Sequence, residues 1–432
     1  MARALYTLFL WLIAPLIGLR LVWRARRQPD YLQHLGERLG RYTQPRPEKC
    51  LWVHAVSVGE TRAAQPLIAA LQARWPDHRI LLTGMTPTGR AAGQAVYGET
   101  VTQVYLPYDY PGAVDRFLRH FSPAFGVLME TEIWPNLLAG AQRRAIPVFL
   151  VNARLSARSA RGYGRFRPLV GPAFAGLRAV AAQTADDAAR LRDLGGGNVE
   201  VCGNLKFDVA VPPERIELGQ AWRQAIGQRP VFLAASTRDG EEALILTAWK
   251  AGALPDDALL VIVPRHPQRF ALVADEIRRA GLTLKLRSAG LPTADDRVWL
   301  GDSMGEMPAY YTLADVAYIG GSLLPLGGQN LIEAAACGCP VMVGPHTFNF
   351  RQATEDALAA GAARRVVDAP ALLAEVGHLL VDEASRSAMA TAARAFAAAH
   401  RGATQRTLLL IEQGVDGQDV VLAEGASRGL EA

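Results

Sequence analysis

GGSLLPLGGQNLIEAAACGCPVMVGPH, residues 320–346, decides how this chain is read. The apolar run 316–319 before it predicts a buried strand, and 341–343 near its end predicts the next. Four glycines, at 320, 321, 327 and 328, form the loop after the first strand, and 330–336 begins a helix. Glycine lets backbone N–H groups come close to an anion, and a helix N-terminus adds partial positive charge. Glu333, one turn beyond Asn330, shares a face of that helix, which suits a sugar better than a second phosphate. The stretch reads as a grip on a sugar nucleotide or, at its plainest, as a glycine-rich turn from strand to helix.

Outward from this stretch the same alternation repeats. Strand-length apolar runs fall at 51–55, 79–83, 101–106, 124–129, 147–151 and 178–182, with helical stretches such as 63–74 and 185–194 between them. A second series falls at 231–235, 259–263, 298–300, 316–319 and 341–343. Strands alternating with helices predict parallel sheets covered on both faces. Pro212 and Pro213 interrupt the pattern. The expected fold class is therefore α/β, with two Rossmann-like domains facing each other over residues 28–211 and 212–432. Ligands of such sheets bind beyond the carboxyl ends of the strands. The Ala-rich run 388–399 reads as a helix, and the last dozen residues as a frayed end.

The 432 residues carry a net charge of +5, yet residues 1–49 alone hold nine Arg or Lys against three Asp or Glu. The rest of the chain is close to neutral, which argues against nucleic acid as a partner. Residues 4–19 are uncharged and strongly apolar, and Arg20, Arg24, Arg26 and Arg27 follow. That length is marginal for a span, so residues 1–27 are expected to form a membrane anchor that crosses once or lies in the interface. The basic residues follow the apolar run, unlike those of a cleaved signal, and they place the body on the cytoplasmic side. Cys50, Cys202, Cys337 and Cys339 are too scattered for a disulfide framework and lack metal-ligand spacing. They read as structural thiols.

Six loops at strand ends could carry chemistry. Glu60, in VSVGE after the first strand, stands at a helix N-terminus where the dipole favours its ionised form. It could accept a proton from an attacking hydroxyl, or merely complement the helix. If that helix starts near Arg62, Pro66 falls near the end of its first turn. Glu130 and Glu132 follow another strand, where two acids could hold a metal, orient a sugar hydroxyl or cap a helix. Lys206, in the loop 202–208 that ends the last strand of the first half, could pair with a carboxylate or phosphate. In the second half, 236–241 opens a helix in an anion-binding geometry, Arg265 and His266 lie between two prolines, and 302–306 forms a third loop. Arginine suits phosphate, being always charged and able to form two parallel bonds. Neither GxxxxGK[ST] nor GxGxxG occurs, so ATPase and dehydrogenase readings lose support.

In order, HAVSVGE (54–60), LMETEIWPN (128–136), GNLKFD (203–208), PRHP (264–267), DSMGEMPAYY (302–311) and GGSLLPLGGQNLIEAAACGCPV (320–341) resemble the 3-deoxy-D-manno-octulosonic acid (Kdo) transferases. The resemblance spans nearly the whole chain. It implies a GT-B fold, two Rossmann-like domains with a cleft between them, at the cytoplasmic side of the inner membrane. It implies inverting, metal-independent transfer of Kdo from CMP-Kdo to the lipid A precursor lipid IVA, with no cofactor. By the same resemblance Glu60 is the general base, and Glu130 and Lys206 support the transition state. Arg265, His266, Met304, Gly305, Glu306, Asn330, Leu331, Ile332 and Glu333 would hold CMP. Two rivals share these features: a GT-B enzyme or epimerase using a UDP-sugar, and a non-catalytic membrane-anchored sugar-nucleotide binder.

Overall fold

Among the described residues of the computed structural model (1–26, 28–252 and 254–428), fourteen strands make two parallel sheets of seven. The first holds β1 (Cys50–His54), β2 (Arg79–Gly84), β3 (Val101–Tyr105), β4 (Gly126–Met129), β5 (Val148–Ala153), β6 (Ala179–Ala182) and β7 (Val199–Val201), in the order β3-β2-β1-β4-β5-β6-β7. The second holds β8 (Val231–Thr237), β9 (Leu259–Pro264), β10 (Leu284–Leu286), β11 (Val298–Leu300), β12 (Val316–Ile319), β13 (Val341–Val343) and β14 (Ala363–Arg365), in the order β10-β11-β9-β8-β12-β13-β14. In each sheet the order reverses beside the first strand, between β1 and β4 and between β8 and β12.

All eleven expected strands are present. Missing from the expectation are β10 and β14, while β7 was signalled only by the loop after it. All three are three-residue edge strands, VEV, LKL and ARR, and a short half-exposed strand carries no apolar run. The central strands are buried on both faces. Leu51 and Val53 join one core layer, while Trp52 between them joins the layer on the other side of the sheet.

The structure divides into two units, residues 1–209 with 401–432, and residues 210–400. The expected second domain ran to residue 432. Instead the helix Ala403–Arg428 belongs to the first unit, where Leu408, Leu410 and Ile411 enter the core beside Leu67 and Leu71. Most of the supposedly frayed end is therefore helical, and residues 429–432 lie outside the described residues. The Ala-rich run ends the helix Glu383–Ala399.

Two further expectations change. The helix after β1 is not one helix from Arg62: Val58–Ala63 ends at Ala64, and Gln65–Arg74 restarts with Pro66 in its first turn. Proline lacks the N–H that a continuous helix would need there. The apolar N-terminus is likewise two helices, Ala2–Leu12 and Ala14–Ala25, bent by 50° at Ile13 and Ala14, with Pro15 opening the second. Among the described residues no single helix is long and apolar enough to cross a membrane. The first of them is docked on its own unit: Asn136 Nδ2 donates to Thr7 Oγ1 (3.0 Å), Tyr110 OH donates to the Leu10 carbonyl (3.0 Å), and the Trp11 and Tyr110 rings lie 4.7 Å apart. Its other face, with Leu5, Leu8, Phe9 and Leu12, is exposed, as are Leu16, Leu19, Val22 and Trp23 of the second helix. Arg20 and Arg26 are also exposed, and Arg27 lies outside the described residues.

Candidate active site

In the first unit the sequence Ser57-Val58-Gly59-Glu60 starts a helix, and Ser57 caps it by accepting the Glu60 N–H (3.3 Å). The carboxylate folds back, taking the Ser57 hydroxyl on Oε1 (2.7 Å) and the Val56 N–H on Oε2 (2.8 Å). This is a capping-box arrangement shifted by one residue. Burial outweighs those two hydrogen bonds and, with Glu130 and Glu132 nearby, pushes the Glu60 carboxyl up to about 7.

Glu130 directly follows β4 at φ +57°, and its N–H donates to the Val151 carbonyl (2.9 Å). Its side chain takes Lys206 Nζ at 3.2 Å, from the single turn Leu205–Phe207 that follows β7. Glu132 turns elsewhere: its carboxylate accepts Trp134 Nε1 (2.9 Å), and burial raises its pKa. The two acids therefore diverge rather than forming a pair. Neither caps the helix Pro135–Gln142, because Asp109 accepts the N–H groups of Asn136 (3.0 Å) and Leu137 (2.8 Å). Glu60 and Glu130 thus follow β1 and β4, the two strands where the order reverses, which is where such sheets bind ligands.

In the second unit the corresponding loops follow β8 and β12. Gly320 must be glycine, because a Cβ there would stand 2.3 Å from the Ser236 carbonyl oxygen. The glycine loop was expected to offer its amides to an external anion. Two of its amides are engaged internally: the fully buried Glu241 carboxylate accepts the N–H groups of Gly321 (2.6 Å) and Leu323 (3.2 Å), together with the Arg238 N–H (2.9 Å) and the Tyr318 hydroxyl (2.5 Å). The Gly328 N–H goes to the Gly321 carbonyl (2.7 Å). The expected anion geometry of 236–241 is therefore a clamp between two loops. Beside it the buried Glu242 holds Arg269 through two bonds, 2.8 and 3.0 Å, which anchors the loop carrying Arg265 and His266.

Arg265 Nε reaches Gln329 Oε1 (3.3 Å), which ties the PRHP loop to the glycine loop. His266 is exposed, and partial burial together with Arg238, Arg265 and Arg269 lowers its pKa. Met304 is exposed, Gly305 adopts φ +79°, and Glu306 accepts Arg287 at 3.1 Å. The helix expected from Asn330 begins at Ile332, with Asn330 Oδ1 accepting the Ile332 N–H (3.1 Å). Leu331 and Ile332 bury their side chains, so only their backbone is available to a ligand. Glu333 is half-buried one turn on. Sequence reasoning missed the structural duties of Asp109 and Glu241. Glu241 stands at the first position of its helix, a placement that signals a dipole partner but not a clamp on a loop 80 residues away.

A family model described as 3-deoxy-D-manno-octulosonic-acid transferase (kdotransferase) matches residues 33–209. A 3-deoxy-D-manno-octulosonic acid transferase from Bordetella pertussis is 49% identical, with 95% of this chain and 99% of the relative aligned. The chain belongs to the Kdo transferase family. A second Kdo transferase, from Haemophilus influenzae, is 37% identical over 95% of this chain and 98% of its own length. Kdo transferases are glycosyltransferases, so the reading as a non-catalytic binder falls away. Among solved structures, a glycosyltransferase from Rickettsia africae superposes with a TM-score of 0.58 at 12% identity, covering 85% of this chain and 99% of that one. That likeness shows the fold alone. Its two parallel-sheet α/β units place this Kdo transferase beside the GT-B glycosyltransferases.

Proposed function

We propose that this Kdo transferase moves Kdo from CMP-Kdo to a hydroxyl of the lipid A precursor lipid IVA, inverting the anomeric centre, with Glu60 as general base. The observation that carries this reading is the Glu60 carboxyl itself, buried, oriented by Val56 and Ser57, and pushed up to about 7. A base poised near neutrality is half ionised yet basic enough to take a hydroxyl proton. The acceptor oxygen forms its bond to the anomeric carbon as the bond to the CMP phosphate oxygen breaks. The proton passes to Glu60, and the electron pair leaves with CMP. Lys206, paired with Glu130, supplies positive charge for the Kdo carboxylate or the developing phosphate charge.

The CMP-Kdo reading belongs to the second unit. Arg265 and His266 offer cationic and hydrogen-bonding contacts to one phosphate, and the exposed Met304-Gly305 turn and Asn330–Glu333 offer surface to the nucleoside. A lipid acceptor agrees with the outward apolar face of the two N-terminal helices and with Arg20, Arg24 and Arg26, which suit an interfacial seat on the cytoplasmic leaflet of the inner membrane.

The test is transfer of labelled Kdo from CMP-Kdo to lipid IVA by Glu60→Gln. Loss of turnover with CMP-Kdo binding intact supports the assignment. Wild-type turnover at saturating CMP-Kdo would remove Glu60 as the base.

A further inference from the structure

Lys206 sits on a loop that follows a short edge strand. The strand before it, β7, is three residues at the sheet edge, and Glu200 and Val201 are exposed. From the sheet side, the Ala182 carbonyl of β6 accepts the N–H groups of Cys202 (2.9 Å) and Gly203 (3.3 Å) at the start of the loop, and Asn152, 53 residues before Leu205, holds it next to Lys206: its Oδ1 accepts the Leu205 N–H at 3.0 Å. Asn152 lies at the carboxyl end of β5, where the pairing of β5 with β6 shifts register between Leu150 and Ala153. Its φ is +52°, a left-handed conformation that asparagine tolerates better than most residues. Such an irregularity takes a residue off the ladder and re-aims its groups. Here the Asn152 carbonyl accepts Gln183 Nε2 (2.9 Å), from beyond β6, and the side-chain oxygen reaches the loop beyond β7.

The neighbouring residue, Val151, accepts the Glu130 N–H at 2.9 Å. One short stretch of β5 therefore fixes the backbones on both sides of the Glu130–Lys206 pair. The Asn152 Nδ2 group, in a residue 1% exposed, has no partner. The left-handed backbone and the register shift both fall where the side-chain oxygen meets the lysine loop.

We propose that Asn152 is a positioning residue for Kdo transfer: it holds the Lys206 loop so that Nζ stays against Glu130. This rests on the reading of Glu60, Glu130 and Lys206 given above. Lys206 offsets the Glu130 charge, and Glu130 is one of the groups that raise Glu60. Releasing the loop leaves Glu130 less compensated and moves Glu60 further up.

Asn152→Gly keeps the left-handed backbone and removes the whole side chain, the Leu205 acceptor included. Its kcat is expected to fall about 10- to 100-fold, the scale of a misplaced catalytic group, with KM for CMP-Kdo unchanged. The acidic limb of kcat/KM moves to higher pH, which a general loss of packing would not do. Asn152→Gly/Lys206→Ala loses no more than Lys206→Ala, because the two act through one contact. Asn152→Asp, which keeps an acceptor for Leu205 and serves if the glycine variant does not fold, retains most of kcat. A wild-type acidic limb in Asn152→Gly, a further additive loss in the double variant, or a loss in Asn152→Asp as large as in Asn152→Gly would each overturn the proposal. Activity in Glu60→Gln would instead overturn the base assignment, so the two failures are told apart.

Discussion

Glu60 and Glu241 occupy the same topological place. Each follows the first strand of its sheet, sits in the first turn of the next helix and stands beside the point where strand order reverses. Their surroundings differ. Glu60 receives two hydrogen bonds, both from its own loop, and is left to titrate near neutrality. Glu241 receives four, two of them backbone N–H groups of the loop after β12, and ties that loop to its own. On the proposed function, the same residue at the same station of the fold is a reagent in one unit and a rivet in the other. The number and origin of its donors make the difference.

Substitutions that treat the two acids alike should separate them. Glu60→Gln is expected to lower kcat by about 100- to 10,000-fold, the usual share of a positioned base, with an unfolding midpoint near wild type; equal loss of fold and activity would break the contrast. Lys206→Ala comes next, with kcat down about 10- to 100-fold and no further loss when Glu130→Gln is added, read by steady-state transfer kinetics. Glu241→Gln presents an NH2 group to donors that now meet oxygen. It should cost about 1–3 kcal/mol for each donor left unsatisfied, seen in denaturant midpoints, and raise KM for CMP-Kdo before it lowers kcat. The smallest effects concern pH. The kcat/KM of the wild type should rise with pH through an inflection near 7 that Glu60→Gln lacks. Because the folded carboxyl is raised from its usual 4.5, burial favours the protonated form. That stabilisation is complete below 4.5 and lost as pH rises through 7, so wild type should lose stability relative to Glu60→Gln over that window.

Much of this was legible in the sequence because parallel strands buried on both faces are written as unbroken apolar runs. Val316–Ile319 and Leu259–Pro264 could be read from composition alone. Edge strands such as Ala363–Arg365 could not, since two of its three residues are arginines. The candidate site was legible as a set of strand-end loops. It was not legible as geometry. That Glu130 faces Lys206 while Glu132 turns to Trp134 depends on a left-handed backbone at Glu130, and two acids one residue apart look equivalent in a sequence. That Glu241 takes two amides of the glycine loop depends on the adjacency of β8 and β12, which local pattern does not record. The bend between the two N-terminal helices was not legible, because hydropathy does not register the break beside Pro15.

The placement of the helix Ala403–Arg428 also bears on synthesis. Residues 210–400 are one uninterrupted stretch, so the second unit can assemble as soon as it clears the ribosome. The first unit, although translated earlier, lacks Leu408, Leu410 and Ile411 until the second unit has been made, and part of the core around Leu67 and Phe149 stays uncovered meanwhile. The half of the enzyme made first is completed last. A truncation near residue 400 should therefore spare the later-made unit and leave the earlier one dependent on chaperones.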